Sequence, residues 1–230
     1  MTSTRLTPGR YLDLLHAEGE RLLVAAEEVM DRPVPTCEGW TVDDLVFHVG
    51  GVYAHKLAAL RLGRRPVEGE WDVPADDATA GDDLTWCHVM LHALAAELAT
   101  RSPDEPAWTW WPDDRTIGFW QRRMALETAV HRADAESATG PISAVDADLA
   151  LDGIDEVLTL HLADADFAGT AALEVLGGVV RVRVDAVTIT GSASDVLLWL
   201  WGRLPDDVVT ISGAAGDRAE VRRILREATQ

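Results

Sequence analysis

The sequence predicts an α+β fold of two domains, with a four-helix bundle followed by a small C-terminal α/β domain. Three observations carry this prediction. Apolar residues recur at helical spacing over most of the first 140 residues, and runs of Pro, Gly and Asp separate those segments. After Pro141 a segment alternates Val with Arg, Asp or Thr, which is the pattern of half-buried strands. With 230 residues, of which 47% are hydrophobic, the chain is long enough to bury a core in each domain.

Local signals mark where the first two helices begin and end. Thr7 and Pro8 suit the N-cap and first turn of a helix, and apolar residues then keep helical spacing as far as Asp31. The run DRPVPT ends that helix, because proline cannot continue it. Thr41 opens the second helix, and Asp44 three residues later predicts a capping box.

The third and fourth helices are predicted over residues 81–100 and 116–138. They follow a loop over residues 64–80 that is rich in Pro, Gly and Asp. Four helices in this arrangement predict an antiparallel bundle.

The C-terminal region predicts a mixture of helices and strands. We expect a helix over residues 146–165, then a β-hairpin that turns at Gly177 and Gly178. A short helix, SASDVLLWLWGRL, follows with a serine as its cap. A strand, DVVTIS, and a helix over residues 216–228 complete the α/β domain.

Charge and composition exclude several classes of function. The formal net charge is −19, and Lys56 is the only lysine. Nucleic-acid binding requires clustered Lys and Arg, so we expect no nucleic-acid partner, and an anionic membrane surface is also disfavoured. No apolar run reaches 18 residues, and the N-terminus has no charged segment followed by an apolar one. We therefore expect a cytoplasmic protein with no membrane partner.

Two cysteines, Cys37 and Cys87, are too few for a secreted disulfide scaffold of this size. We interpret both as reduced thiols that pack as small apolar side chains.

Seven histidines raise the possibility of a metal site, and two pairs have the right spacing. Glu127 and His131 lie four residues apart, so both project from one face of the fourth helix. His48 on the second helix could supply a third ligand, and two His with one Glu and an open position form a known catalytic zinc set. His88 and His92 make a competing pair, and spacing alone does not choose between them. An ordinary helix-surface pair also accounts for Glu127 and His131.

Neighbouring residues have two interpretations each. Asp44 could orient the imidazole of His48 or cap its helix, and Asp134 has the same ambiguity beside His131. Four tryptophans lie in residues 106–120 and could line a substrate pocket or close the end of the bundle; they are Trp108, Trp110, Trp111 and Trp120. The chain has no phosphate-binding Gly loop, no CxxC and no GxSxG.

Three segments resemble a known family. CEGWTVDDLVFHVGGV resembles the GW-[ST]-x-x-[DE]-L-x-x-H signature of the mycothiol-dependent maleylpyruvate isomerase family, within the DinB-like superfamily. FWQRRMALETAVHRADAE resembles the second signature of that family, in which a Glu precedes a His by four residues and Arg-x-Asp follows. GSASDVLLWLWGRLP resembles the sterol-carrier-like domain that follows the bundle in these proteins. One departure is Ala125, where many relatives carry a His.

The resemblance implies a DinB-like metal-binding bundle over residues 1–142 and a sterol-carrier-like domain over residues 143–230. It implies one divalent metal, usually zinc, whose ligands map onto three residues: His48, Glu127 and His131. The resemblance also implies mycothiol as the thiol that faces the metal.

An arginine of the second domain contributes to the site in this family, and Arg203 is our candidate for it. We expect Arg203 and Trp120 to contact the thiol cofactor, and Arg203 to take part in catalysis.

The expected activity is zinc-dependent activation of a low-molecular-weight thiol. A free thiol has a pKa of about 8.5, and coordination to zinc removes its proton. Attack on a small electrophilic substrate would then give isomerisation or S-transfer, and hydrolysis is a further option at the same site. The alternatives are a non-catalytic metal- or ligand-binding protein of this fold, and an accessory protein that acts through its acidic surface. We expect a monomer or a homodimer.

Overall fold

A computed structural model of the protein describes residues 4–71, 82–165 and 167–229. Backbone contacts divide the chain into two compact units, one of Thr7–Ser143 and one that combines Met1–Leu6 with Ala144–Gln230. The first unit is helical and the second contains a sheet with helices, so the predicted α+β class is confirmed. The assignment of residues 1–142 and 143–230 as separate domains stays a prediction.

The N-terminal unit is a helical bundle, as the sequence predicts. Helix α1 packs against α4 and α3, and α2 packs against α3. The helices in the described part of this unit are α1 Pro8–Ala26, α2 Val42–Leu62, α3 Asp83–Ala99 and α4 Ile117–Ser137. None of the helices in the described residues is apolar over a length that could cross a membrane.

Helix α1 ends at Ala26, so the expectation that it continues to Asp31 is wrong. Glu28 adopts a left-handed backbone conformation with a φ of 67°, which no helical residue can have. The chain then turns back, and the carbonyl of Met30 accepts a hydrogen bond from the amide of Asp43 at 2.9 Å. Met30, which continues the spacing of apolar residues past Ala26, is only half-buried and no longer lies on a helix.

The caps of the second helix follow the predicted chemistry. The Thr41 hydroxyl accepts a hydrogen bond from the Asp44 amide, and the Asp44 carboxylate accepts one from the Thr41 amide at 2.8 Å. This reciprocal pair is the predicted capping box. Gly63 ends the helix with a φ of 66°, which glycine adopts without steric cost. The predicted start of the third helix at residue 81 lies outside the described residues, and α3 has Asp82 as its N-cap.

Close contacts at two glycines set the spacing of the helices. A Cβ atom on Gly19 of α1 would lie 2.5 Å from the side chain of Leu91 on α3, and one on Gly50 of α2 would lie 2.6 Å from the ring of Trp86 on α3. Only glycine permits these approaches without displacement of the neighbour. The two crossings place both α1 and α2 directly against α3.

A buried charge network joins α1 to α4. Arg132 is fully buried, and its guanidinium donates to Glu18 at 2.7 Å and to Glu136 at 2.8 Å. Its Nη1 also donates to the carbonyl of Ser143 at 2.7 Å. A buried guanidinium needs such partners, because an unpaired charge in the core is costly. The network orients one face of α4 toward α1, so His131, one residue earlier, projects from a different face.

The C-terminal unit contains an antiparallel four-stranded sheet with strand order β1-β2-β3-β4. The turn between the first two strands contains Gly177 and Gly178, as predicted. The predicted helix over residues 146–165 is present but passes through a π-helical turn. In chain order, the elements are α5 Ala147–Glu156, the π-turn Val157–His161, α6 Leu162–Asp164, β1 Ala171–Leu176, β2 Val179–Val184, β3 Val187–Gly191, α7 Ala193–Leu200, a 3-10 turn Asp206–Val208, β4 Thr210–Ser212 and α8 Ala215–Ala228.

The alternation that predicted strands is visible in β2. Val180, Val182 and Val184 are buried, whereas Arg181 and Arg183 are exposed. Successive side chains of a strand point to opposite faces, so one face of the sheet packs into the core of this unit and the other faces solvent.

Neither Cys37 nor Cys87 forms a disulfide, in agreement with the prediction of reduced thiols. Cys87 is 1% exposed, and burial raises the pKa of its thiol to about 12. It therefore packs as an apolar side chain and is not a nucleophile near neutral pH.

Candidate metal centre

Helices α2 and α4 bring three of the predicted residues together. His48, Glu127 and His131 each offer one ligand atom, and these atoms all lie within 4.8 Å of one another. The ring centroids of the two histidines are 5.2 Å apart. The side chains of Glu127 and His131 are 17% and 12% exposed, so the cluster is nearly closed to solvent on the α4 side.

Asp134 orients the imidazole of His131. The Nδ1 atom of His131 lies 2.9 Å from Asp134 Oδ2, and its Nε2 lies 3.2 Å from Glu127 Oε1. Asp134 is fully buried and accepts a second hydrogen bond, at 2.6 Å, from the hydroxyl of Thr36. A donor bond from Nδ1 to a carboxylate directs Nε2 toward a metal in many metal sites. Of the two interpretations of Asp134, this contact favours the orienting one.

Glu127 is held by Arg123, which lies one helical turn earlier. The Nη2 atom of Arg123 donates to Glu127 Oε2, so Oε1 faces His131. One carboxylate oxygen is thus occupied by the guanidinium and the other points into the cluster. Arg123 was not among the candidate site residues predicted from the sequence, although its i,i+4 spacing to Glu127 is the signal that could have found this pair.

Burial and charge set the protonation of the cluster. Burial lowers the pKa of His48, and the charge of His131 lowers it further. Burial also opposes a proton on His131, but hydrogen bonds to Asp134 and Glu127 outweigh it and raise the pKa of His131 to about 9. Burial would raise the pKa of Glu127, yet Arg123 and His131 hold it well below its usual range. These shifts favour a protonated His131 near neutral pH, so that His131 and Arg123 together offset the charge of the Glu127 carboxylate.

Beside the cluster lies an open groove of about 690 Å³. His48 lines it, and the ring of Trp40 lies 5.0 Å from that of His48 between centroids. Asp44 lines it as well, but its carboxylate accepts two hydrogen bonds from Thr41, and its position therefore favours the capping interpretation.

Lys56 lies in the same groove and was not identified by the sequence analysis as a functional residue. Its Nζ donates to Nδ1 of His55 at 3.2 Å and lies 5.3 Å from the ring centroid of Trp120. Burial lowers the pKa of Lys56 to about 8, and burial with the charge of Lys56 lowers that of His55 to about 4. The signal in the sequence was that this is the only lysine of the chain.

The tryptophan cluster packs at one end of the bundle. Trp120 is fully buried, and its indole N–H donates to the carbonyl of Trp108 at 2.7 Å. The ring of Trp110 lies 5.3 Å from that of Trp120 between centroids. These contacts favour closure of the bundle end for Trp120, and its contact with a cofactor stays a prediction.

Arg203 follows α7 in the C-terminal unit. Its Nη1 donates to the carbonyl of Trp201 at 2.6 Å, and its guanidinium carbon lies 5.9 Å from the Trp201 ring centroid. Its expected roles in catalysis and thiol binding stay predictions.

The competing pair is also part of a cluster. The ligand atoms of His88, His92 and Glu20 lie within 4.8 Å of one another, and all three residues are exposed. Convergence of three ligand atoms alone therefore does not separate the two histidine pairs. The surrounding contacts differ, because Asp134 contacts His131 and Arg123 contacts Glu127 in the first cluster.

Comparison with known families gives one match. The family model described as mycothiol maleylpyruvate isomerase N-terminal domain matches residues 12–136, more than half of the chain. The match contains α2 and all but the last residue of α4, and thus all three residues of the first cluster. No curated protein and no solved structure shows a significant match to the chain.

Proposed function

This chain belongs to the mycothiol maleylpyruvate isomerase N-terminal domain family, and from that premise we propose that it is a metal-dependent enzyme that activates a small thiol. The proposed ligands of one divalent metal ion, with zinc the first choice, are His48, Glu127 and His131. The proposed thiol is mycothiol, and the substrate is a small electrophilic organic molecule. The product would arise by isomerisation or by S-transfer.

One observation supports this proposal most strongly. His131 contacts Asp134 through one ring nitrogen and Glu127 through the other, and a ligand atom of His48 lies within 4.8 Å of those of Glu127 and His131. Two imidazoles and one carboxylate are a donor set that suits zinc and leaves a coordination position open. Glu127 Oε1 and His131 Nε2 lie only 3.2 Å apart, which is close to the separation of two ligand atoms on one zinc ion. The residues present therefore fit a divalent metal.

When bound, the metal supplies one kind of chemistry, since it stabilises the thiolate form of a thiol at neutral pH. The protein would contribute the remaining steps. His131 must release the proton that balances Glu127, because only a neutral imidazole has a free Nε2 lone pair. Asp134 would keep the ring in place during this change, and Arg123 would continue to hold Glu127 Oε2.

The groove beside His48 is the proposed place for thiol and substrate. The Lys56 ammonium, whose pKa of about 8 is close to neutrality, could hold an anionic group there or release a proton from Nζ. Arg203 and Trp120 remain proposed contacts of the thiol, on the basis of the family resemblance.

The test is metal content after dialysis, combined with a titration of mycothiol. We expect about one zinc ion per chain in the wild type and almost none in His131→Gln. His55→Gln is a matched control, because it removes a groove histidine outside the cluster and should keep the metal. Addition of mycothiol to the zinc-loaded protein should release a proton, measured by calorimetry in buffers of different ionisation enthalpy.

Two results would contradict the proposal. A wild type that retains no metal after zinc is added back would remove its basis. Stoichiometric zinc without any mycothiol binding would favour the alternative of a non-catalytic metal-binding protein.

A further inference from the structure

A second group of metal-ligating side chains lies on the outer surface of α1 and α3. His92 Nε2 is 3.0 Å from His88 Nε2 and 3.0 Å from Glu20 Oε1, and His88 Nε2 is 3.6 Å from the same carboxylate oxygen. These side chains are 46–49% exposed. The cluster shares no residue with the proposed catalytic centre.

Packing of the two helices creates this convergence. His88 and His92 lie four residues apart, so their rings stand one above the other on α3. Glu20 follows Gly19, where α1 approaches α3 so closely that Leu91 leaves no space for a side chain. The close crossing brings the carboxylate of α1 to the two imidazoles of α3.

Hydrogen bonds among the three side chains cannot account for all three approaches at once. If His92 Nε2 carries a proton, it can donate well to Glu20 or to His88 but not to both. If His88 Nε2 carries the proton and donates it to His92, the lone pair of His92 Nε2 accepts that hydrogen bond. No proton then lies between His92 Nε2 and the Glu20 carboxylate. The remaining distance, 3.6 Å from His88 to Glu20, is too long for a hydrogen bond. A single cation would accept a lone pair from all three atoms at once.

The dimensions suit a first-row divalent ion. Three atoms with these separations lie on a circle of radius about 1.9 Å, which is slightly less than the zinc–nitrogen and zinc–oxygen distances of about 2.0–2.2 Å. An ion slightly above the plane of the three atoms can therefore reach each of them at bonding distance. We propose that Glu20, His88 and His92 form a second zinc site, exposed to solvent, that bridges α1 and α3.

The site would differ from the proposed catalytic centre in affinity and in effect. Its ligands are exposed, so it should exchange zinc readily and lose it on dialysis. Its ligands come from two helices, so zinc should bind the folded bundle and not the unfolded chain, and should raise the melting temperature. The ring of His16 lies 5.3 Å from that of His92 between centroids, beside the three ligands but outside the group.

The experiment isolates this site by removing the other. In a His131→Gln background, zinc is titrated in competition with a chromogenic chelator. We expect about one zinc ion per chain, together with a zinc-dependent rise in melting temperature. Adding His92→Gln should weaken zinc binding at least about tenfold and abolish the rise, because one of three bonds is lost. Glu20→Gln should act in the same direction.

Two control variants define the ligand set. Glu27→Gln removes another exposed carboxylate at the end of α1, and His16→Gln removes the adjacent imidazole; both should leave zinc affinity within about twofold. In the wild type, NMR of the histidine side chains should show zinc-dependent shifts at His88 and His92.

No zinc binding in the His131→Gln background would overturn the proposal, as would zinc binding that persists when both His88 and His92 are replaced by Gln. Neither result bears on metal retention by the wild type, so failure here is distinct from failure of the proposed catalytic function.

Discussion

Two histidine clusters in the described part of this protein have the same composition, two histidines and one glutamate, and very different surroundings. Each combines an i,i+4 pair on one helix with a third residue from another helix, and each brings three ligand atoms within 4.8 Å of one another. In the cluster of His48, Glu127 and His131, a buried aspartate and an arginine hold the ligands. In the cluster of Glu20, His88 and His92, the ligands contact mainly one another and solvent.

The two clusters have the same kinds of ligand, so the difference between them lies in the contacts that surround the ligands. Partners that hold a ligand fix its tautomer and orientation, and they commonly change metal affinity by 10–100-fold. A ligand set without such partners can still bind a metal, but with a lower affinity and a faster exchange.

Removal of metal from the cluster of His48, Glu127 and His131 should have the largest effect on stability. With free zinc at about a thousand times the dissociation constant, binding to the native state adds about 4 kcal/mol to the free energy of unfolding. We expect EDTA to remove this contribution from the wild type, as measured by urea unfolding. His92→Gln should lose nearly as much as the wild type, whereas His131→Gln should lose only the smaller contribution of the exposed site. Equal losses in the two variants would contradict the assignment of the tighter site.

Lys56, which lies in the groove beside His48, should make the free energy of unfolding depend on pH. The pKa of its amine is about 8 in the folded protein and 10.5 when exposed in the unfolded chain. Between these values the unfolded state binds more protons, so stability should rise as the pH increases from 8 toward 10.5. The gain should not exceed about 3 kcal/mol. Urea unfolding of wild type and Lys56→Met at pH 7.5 and pH 10 measures it, and parallel pH profiles would refute it.

Substitution of Asp134 and of Asp44 should have different effects on zinc affinity at the cluster of His48, Glu127 and His131. Asp134→Asn should weaken zinc affinity by about 10–100-fold, because the amide no longer holds His131 as a carboxylate does. Asp44→Asn is the matched control, since it changes a residue that caps α2 and should leave zinc affinity almost unchanged. Competition with a chelator of known affinity measures both. Equal losses of affinity would assign the orienting role to Asp44 as well.

The smallest effect is expected at the exposed cluster without metal. Glu20→Gln should change the free energy of unfolding by no more than about 1 kcal/mol in EDTA, since exposed ion pairs contribute little. The same substitution should matter more when zinc is present, because it then removes a ligand. A large loss of stability in EDTA would mean that the cluster is a structural ion pair.

Much of the fold could be predicted because its signals are local. The capping box of Thr41 and Asp44 and the alternation of valines in β2 depend on residues close in sequence. The end of α1 could not be predicted in this way. It depends on a left-handed glutamate, Glu28, and on the return of the chain to pair with the start of α2, and neither is visible in apolar spacing. The π-turn within residues 157–161 has no sequence signal that we can identify.

The candidate site could be predicted only in part. Spacing identified Glu127 with His131 and also His88 with His92, but spacing is the same for both pairs. The distinction requires contacts between distant residues, such as Thr36 with Asp134 at 2.6 Å. The family resemblance favoured Glu127 with His131, because these two residues lie in the second signature of the family. The groove around Lys56 was missed because a lysine in a helix is usually solvated, and its burial depends on how α2 packs.

Lys56 is the only lysine of the chain, so a reagent specific for amines would modify the groove and no other side chain. Reductive methylation with isotope-labelled formaldehyde would place one dimethylamine beside His55 and keep the positive charge. Because no other side chain carries an amine, the spectrum of the labelled protein would contain one lysine signal, distinct from that of a terminal α-amine. Its chemical shift would report whether the groove is empty or filled, so candidate thiols and substrates could be screened without an assay of turnover.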